Sequence, residues 1–143
     1  MTTSEKGLQF IRDNEGLTLT VKPDVGKLVV GYGHDLLPGE SYPHGIDEAK
    51  AESLLLEDTG KWDREIDSLN WDLNQNQHDS LSDFTHNLGI GALHQLAAHG
   101  MSQVVGQLPL WCHAKNKEGV KVVVPGLLAR RKKEVTLFCT EPD

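Results

Sequence analysis

Apolar residues recur at helical spacing near the start of the chain. Leu8, Ile11 and Glu15 lie three and four positions apart, so they share one face of a helix that the pattern predicts over residues 4–14. Gly16 is suited to end this helix. A glutamate in the last turn ordinarily points into water, so a carboxyl group on the apolar face marks Glu15 as a candidate functional residue.

The next segment predicts a β-hairpin. Residues 17–21 alternate strictly between apolar and polar side chains, and residues 28–32 read as the returning strand. The Pro-Asp-Val-Gly sequence at 23–26 is typical of a turn. Two glycines flank Tyr32, which indicates a bulge or a close backbone approach. Residues 37–45 are rich in proline and glycine and predict a loop with a short third strand.

From Asp47 onward the pattern is helical. Trp62 and Ile66 belong to an apolar series that predicts one long helix over about residues 48–69, with Gly60 as a place where it could bend or divide. Further helices are predicted near residues 75–88, 91–99, 102–114 and 125–139.

These elements predict an α+β fold in a single domain of two lobes. The small N-terminal lobe, residues 15–46, contains the hairpin. The long helix, residues 47–69, joins it to a larger helical lobe formed by residues 70–143 together with the N-terminal helix 4–14. A cleft between two such lobes is the expected ligand site.

Composition and charge narrow the possible functions. Apolar residues make up 38% of the chain, which is enough for a globular core. The formal net charge of −7 argues against a general nucleic-acid binder, because neutralising phosphates needs surplus lysine and arginine. The run Arg130–Lys133 is either a local cationic contact or the solvated face of a terminal helix. Cys112 and Cys139 are too few and too far apart for a disulfide framework, so we expect free thiols.

The sequence lacks the motifs that identify several other classes of protein. None of the seven histidines forms a zinc-binding motif, and no serine-hydrolase or nucleotide-binding motif is present, so we expect no metal and no cofactor. No apolar stretch approaches the roughly 20 residues of a membrane span. Residues 1–9 contain neither an apolar run nor a basic start, so we expect no signal peptide and no membrane insertion.

Short blocks spread over nearly the whole chain resemble the phage-type lysozyme (endolysin) family, in the right order. The blocks are Ser4–Leu8, Asn14–Leu17, Gly31–His34, Leu73–Gln77, Asn87–Leu93 and Pro125–Leu127 followed by Arg130 and Arg131. The resemblance implies a lysozyme-like fold and hydrolysis of the β-1,4 bond between N-acetylmuramic acid and N-acetylglucosamine in peptidoglycan. It also implies a monomer made in the host cytoplasm, which acts on the wall after a holin releases it.

The catalytic pattern of that family is a glutamate, eight residues, an aspartate, five residues and a threonine. Glu15 and Asp24 fit the first interval. Glycoside hydrolysis needs one carboxylic acid to protonate the leaving oxygen and a second group to handle water or the developing positive charge. Glu15 lies at the end of an apolar face, so we expect it to stay protonated and to act as the acid. Asp24 lies on an open turn, so we expect it to stay ionised and to assist water in an inverting reaction. Without the resemblance, Asp24 would be interpreted as an ordinary residue of a Pro-Asp-Val-Gly turn.

The third position departs from the pattern. Counting forward from Asp24 reaches Val30, and counting back from the Gly-Tyr-Gly-His block reaches Val29; neither has a hydroxyl group. Lys22 stands where the family often has tyrosine. Three interpretations remain open. Another polar group holds the water, or the enzyme is a lytic transglycosylase, or the chain is a non-catalytic wall-binding or regulatory relative.

The resemblance also implies roles around the cleft. Tyr32, His86 and Asn87 are expected to contact substrate, with the Asn87 amide recognising acetamido groups, although capping of the preceding helix explains Asn87 equally well. His34 is expected to tie the lobes together through an ion pair or hydrogen bond. Arg130 is expected to support the first helix near Glu15 without taking part in the chemistry.

Overall fold

The structure of the protein is a computed structural model, which describes all of residues 1–143. The helices are α1 Glu5–Glu15, α2 Glu48–Asp67, α3 Gln75–Leu88, α4 Ile90–Ala97, α5 Val104–Gln107 and α6 Pro125–Cys139. The strands are β1 Thr18–Asp24, β2 Lys27–Gly31, β3 His34–Asp35, β4 His113–Lys115 and β5 Lys121–Val123.

The predicted α+β architecture is confirmed. β1, β2 and β3 form an antiparallel sheet in that order, which is the small N-terminal lobe. α2 is one uninterrupted helix of 20 residues, about 30 Å long at about 1.5 Å per residue, with Gly60 in its interior. The bounds predicted for α3 and α6 agree with the structure. None of the helices is both long and apolar enough to cross a membrane.

The prediction of one helix over residues 102–114 is wrong. This segment contains two single 3₁₀ turns, Met101–Gln103 and Leu108–Leu110, around the short α5. Pro109 has no N–H to continue a helical hydrogen-bond ladder. The chain then enters a second antiparallel hairpin, β4–β5, which the sequence analysis missed. Because its side chains are exposed on both faces, this hairpin lacks the alternation that normally reveals strands.

Two apolar clusters hold the elements together. The larger cluster fills the helical lobe and consists of Ile66, Leu81, Phe84, Ala92, Leu93, Leu96, Val104, Leu108 and Phe138. The smaller one joins Leu8 and Ile11 of α1 to Leu55 of α2, and the ring of Tyr32 packs against it. The apolar face of α1 is therefore buried against the long helix and the hairpin lobe, which places its last residue, Glu15, at the junction of the lobes.

The start of α1 is anchored on α3. Ser4 caps the helix by accepting a hydrogen bond from the Gly7 N–H at 3.1 Å. Its own N–H and hydroxyl both donate to the Asp79 carboxylate. The two helices approach so closely that a β-carbon at Gly7 would lie 2.5 Å from Cγ of Asp79. This contact fixes one end of α1 and therefore the direction in which the other end points.

Replacing Gly7 with alanine is expected to destabilise the protein by about 1–3 kcal/mol, because the added methyl group would force α1 away from Asp79. The intrinsic helix propensity of alanine works in the opposite direction by about 1 kcal/mol. Gly126→Ala in α6 is the matched control, since no atom lies within 4 Å of a β-carbon built there. Urea unfolding measures both changes. Equal stability of the two variants would contradict the close-packing explanation.

Candidate active site

A cleft cavity of about 370 Å³ lies between the sheet of the N-terminal lobe and α3. Its lining is mostly polar and comprises Glu15, Thr18, Lys22, Pro23, Asp24, Lys27, Val29, Gly31, Gly33, Asp35, His86 and Asn87. The two candidate catalytic carboxylates, Glu15 and Asp24, therefore border the same cavity. No group of three or more histidine, cysteine, aspartate or glutamate side chains is arranged to hold a metal ion.

The Glu15 carboxylate lies in polar surroundings. Its Oε1 accepts a hydrogen bond from Nη1 of Arg130 at 2.9 Å. Its Oε2 lies against Gly33, where a β-carbon would be only 2.3 Å away, and the φ of +72° at Gly33 is also one that favours glycine. The apolar environment predicted for this carboxyl group is thus wrong, because helical periodicity describes the face of α1 but not the guanidinium group that reaches its end from α6.

Arg130 is itself held by Asp83 of α3. Its Nε and Nη2 donate to the two carboxylate oxygens of Asp83 at 2.9 and 2.8 Å, in a bidentate pair. Burial alone would raise the pKa of Asp83, but hydrogen bonds from Glu134 and Arg130 outweigh it and lower that pKa. The carboxylate of Asp83 therefore balances the positive charge of the Arg130 guanidinium group. Arg130 still donates a hydrogen bond to Glu15, but its charge is already paired.

A second buried arginine orients the other side of the cleft. Arg131 is fully buried, and its Nη2 donates to Oδ1 of Asn87 at 2.7 Å and to Oε2 of Glu134 at 2.9 Å. Because the guanidinium group can only donate, it selects the oxygen of the Asn87 amide and leaves the NH₂ group available to the cleft. Burial and the nearby charge of Asp83 raise the pKa of Glu134 well above its usual range. Nothing in the sequence indicated that Arg131 or Glu134 lies beside the cleft, although both follow Arg130 on α6.

Strand register decides which valine faces the cleft. Val29 pairs with Lys22, and Asp24 pairs with Lys27, so these four side chains share the cleft face of the sheet. Val30 points to the opposite face and is fully buried. Val29 is therefore the apolar residue that occupies the cleft, and counting back from the Gly-Tyr-Gly-His block is the alignment that agrees with the structure.

Thr18 supplies the one hydroxyl side chain among the residues that line this cavity. It opens β1 directly opposite Gly31, and its Oγ1 lies 3.5 Å from the Gly31 carbonyl oxygen. The register of β1 shifts between Thr18 and Lys22, and this irregularity separates Thr18 from the regular part of the hairpin. Neither the spacing nor the family pattern indicated Thr18 in advance.

The predicted substrate-binding residues have different environments. Tyr32 does not line the cleft with its ring, which packs in the smaller apolar cluster; only its carbonyl oxygen is engaged there, accepting a hydrogen bond from Nε2 of His86 at 2.7 Å. His86 lines the cavity, but its Nδ1 also has a partner, the indole N–H of Trp62 at 3.1 Å. Asn87 lines the cavity with its amide oriented by Arg131.

His34 lies in a buried clamp between two carboxylates. Its Nδ1 is 2.7 Å from Oδ2 of Asp58 on α2, and its Nε2 is 2.9 Å from Oε1 of Glu40 in the loop after β3. Burial disfavours the charged ring, but the hydrogen bonds to Asp58 and Glu40 outweigh it and raise the pKa of His34 to about 9. Burial likewise opposes charge on Glu40. The Leu37 N–H, the Tyr42 hydroxyl and His34 nevertheless lower the pKa of Glu40 to about 2.

Comparison with known proteins identifies the family. The sequence model described as phage lysozyme matches residues 12–134, nearly the whole chain. This chain belongs to the phage lysozyme family. It is 35% identical to an endolysin of Bacillus phage B103 over 98% of this chain and 55% of that protein, and 32% identical to an endolysin of Bacillus phage PZA. It thus spans about half the length of the curated relatives it matches.

Solved structures agree with this assignment. The muramidase domain of SpmX from Asticaccaulis excentricus has a TM-score of 0.83 at 26% identity, covering 98% of this chain and 99% of that one. The endolysin from Escherichia coli O157:H7 phage FAHEc1 has a TM-score of 0.82 at 28% identity, covering 100% of this chain and 98% of that one. In this lysozyme-family chain, Glu15 and Asp24 have the spacing expected from the resemblance, and Val29 stands where that pattern led us to expect a threonine.

The His34 clamp predicts a pH window for stability. The pKa of His34 is raised from 6.5 to about 9, so its contribution is complete below about pH 6.5 and is lost as the pH rises through 9. The pKa of Glu40 is lowered from 4.5 to about 2, so its contribution is complete above about pH 4.5 and is lost as the pH falls towards 2. The clamp should therefore stabilise the fold most between these limits.

Urea unfolding of the native chain and of His34→Asn tests this window. Between pH 6.5 and 9 the native chain is expected to lose roughly 2–3 kcal/mol more than the variant, because only the native chain releases the shifted proton. The difference between the two chains removes the contribution of other groups that titrate in this range. Parallel stability curves over this interval would contradict a charged His34 in the clamp.

Proposed function

We propose that this chain is a muramidase-type peptidoglycan hydrolase that cuts the β-1,4 bond between N-acetylmuramic acid and N-acetylglucosamine. The observation that carries the proposal is the pair of carboxylates, Glu15 and Asp24, at one cleft cavity in a member of the phage lysozyme family. The lining of the cavity is mostly polar, which suits a polysaccharide ligand. The Asn87 amide would donate a hydrogen bond to an acetamido oxygen of the glycan.

Glu15 would act as the general acid that protonates the glycosidic oxygen of the leaving sugar. Its hydrogen bond from Arg130 would stabilise the carboxylate that remains once the proton has gone. Asp24 is exposed at the end of β1, where it would assist the attacking water or stabilise the positive charge at the sugar. Glu15 is held by Arg130 whereas Asp24 is exposed, so the two carboxylates would serve different steps of the reaction.

Thr18 is the candidate to orient the attacking water in place of the family threonine. Val29 occupies the cleft face of β2 and cannot bind water through a hydroxyl group. Thr18 lies opposite Gly31, two residues along β2 from Val29, so its hydroxyl borders the same cavity from β1. A water hydrogen-bonded to Thr18 in this cavity would supply the nucleophile, and Asp24 would stabilise the positive charge at the sugar.

Val29 also favours a second candidate, a lytic transglycosylase, which needs an acid but no activated water. In that reaction the C6 hydroxyl of the muramic acid residue attacks its own C1, and the bond from C1 to the leaving oxygen breaks. Glu15 gives its proton to the leaving oxygen, and Asp24 receives the proton of the C6 hydroxyl. The product carries a 1,6-anhydro ring, whereas hydrolysis leaves a reducing end.

Glu15→Gln is expected to lower the rate of wall degradation by roughly 10²–10⁴-fold, because glutamine cannot donate a proton to the leaving oxygen. Arg130 keeps both hydrogen bonds to Asp83 in this variant, so the fold should be retained. Glu5→Gln, the same change at the exposed start of α1, is the matched control. Clearing of permeabilised bacteria measures activity, and mass analysis of soluble fragments separates reducing from 1,6-anhydro ends. Full activity of Glu15→Gln would overturn the assignment.

Thr18→Val is expected to reduce the hydrolytic rate by roughly tenfold, the effect of losing one hydrogen bond of about 1.4 kcal/mol to the attacking water. The substitution keeps the shape of the side chain. Thr20→Val on the same strand is the control, because Thr20 does not line the cavity. Initial rates of fragment release measure both variants. Equal rates for the two would show that the water is held elsewhere or is not used.

A further inference from the structure

A second cavity of about 220 Å³ continues the cleft beyond the one that contains Glu15. The two cavities share part of their lining, namely Lys27, Gly33, Asp35, His86 and Asn87. The second one adds an aromatic and aliphatic wall formed by Leu37, Trp62 and Leu88. A ligand that extends from the first cavity past His86 would therefore pass over a surface of a different, more apolar chemistry.

We propose that this second cavity is a sugar-binding subsite in which the indole ring of Trp62 packs against one ring of the glycan. The proposal rests on the proposed function, because it takes the ligand to be a peptidoglycan strand that also occupies the Glu15 cavity. Its ligand is an N-acetylhexosamine unit that carries an acidic substituent. The three observations that carry it are the hydrogen bonding of Trp62, the locked state of His86 and the charge of Lys61.

Trp62 offers the cavity an apolar ring. The single polar group of an indole is its N–H, which donates to Nδ1 of His86 at 3.1 Å. What remains for a ligand is aromatic surface, and the C–H face of a pyranose ring is the complementary apolar surface. Trp62 also packs against the core of the helical lobe, which gives the ring a rigid backing.

The hydrogen bonds of His86 fix the orientation of the Trp62 indole ring. Its Nε2 lies 2.7 Å from the Tyr32 carbonyl oxygen, which can only accept, so Nε2 carries the proton and Nδ1 is the acceptor for Trp62. The hydrogen-bonded series Trp62–His86–Tyr32 links α2, α3 and the turn after β2 across the cleft. His86 then has no free nitrogen for a sugar hydroxyl and serves as a positioning residue for the indole.

Lys61 would give the subsite a preference for ligands that carry a negative charge. Of the charged groups along this cavity, Lys27 is paired with Asp35 at 3.1 Å and Asp58 is held by His34. Lys61 borders the same cavity and takes part in none of the ion pairs of the structure. It is therefore the group available to an anionic substituent, such as the carboxylates of a peptide attached to a muramic acid unit.

The test measures binding in the Glu15→Gln background, where substrate is not consumed. The probe is a soluble peptidoglycan tetrasaccharide that carries its peptides, and affinity is measured by calorimetry. Trp62→Leu is expected to weaken binding by roughly tenfold, from the loss of aromatic contact of about 1.4 kcal/mol. Trp71→Leu is the matched control, because Trp71 packs against the same core but lines neither cavity. Equal affinity of the two leucine variants would overturn the subsite.

A fluorescence measurement keeps the test decisive if Trp62→Leu does not fold. In a Glu15→Gln, Trp71→Phe, Trp111→Phe chain, Trp62 is the only tryptophan, and its emission should change with the dissociation constant found by calorimetry. Binding without any change in emission would overturn the subsite while leaving the proposed function intact. No binding of the tetrasaccharide to any variant would instead count against the proposed function itself.

Lys61→Gln tests the acidic substituent separately. We expect it to weaken binding of the peptide-bearing tetrasaccharide several-fold and to leave binding of an uncharged N-acetylglucosamine tetramer unchanged. An equal loss with both ligands would overturn the charge preference, since an ion pair to a peptide carboxylate is absent from the uncharged tetramer.

Discussion

The buried guanidinium group of Arg130 is the interaction on which the site depends. It holds the Asp83 carboxylate with two hydrogen bonds and that of Glu15 with one, and so joins α6, α3 and α1 at one point. A buried charge that loses its partner costs several kcal/mol, so the three elements are constrained to meet with this geometry. The last turn of α1 is thereby fixed where the lobes meet, and the Glu15 carboxylate is fixed with it.

The same constraint explains the character of α3. Nine of the 14 residues of this helix are buried, yet most of these nine are polar, including His78, Asp79, Ser80, Ser82, Asp83 and Thr85. Each of them has a hydrogen-bond partner, and most partners lie on another element, such as Asp63 of α2 for His78 and the Glu134 carbonyl of α6 for Ser80. α3 is therefore a central polar scaffold that specifies how its neighbours are arranged as well as how closely they pack.

Against this rigid scaffold, the cleft face of the sheet carries the features particular to this chain. Val29 removes a hydroxyl group from β2, while Thr18 contributes one from β1. Beyond His86, the cleft continues over Trp62. The family framework and the two carboxylates are thus combined with these particular neighbours, which line the cleft without deciding where the carboxylates lie.

The sequence by itself determined the features that depend on neighbouring residues. Helical periodicity and capping located α2, α3 and α6, and the interval between Glu15 and Asp24 identified the candidate carboxylates. The prediction of one helix over 102–114 failed because Pro109 cannot continue a helical hydrogen-bond ladder, and the β4–β5 hairpin was missed because its exposed faces leave no periodic signal. Only the tertiary structure decided that Arg130, 115 positions after Glu15, surrounds that carboxylate with polar groups, and that Val29 rather than Val30 faces the cleft. Periodicity records which side of an element is buried, whereas the atoms on the opposite side of a contact come from distant parts of the chain.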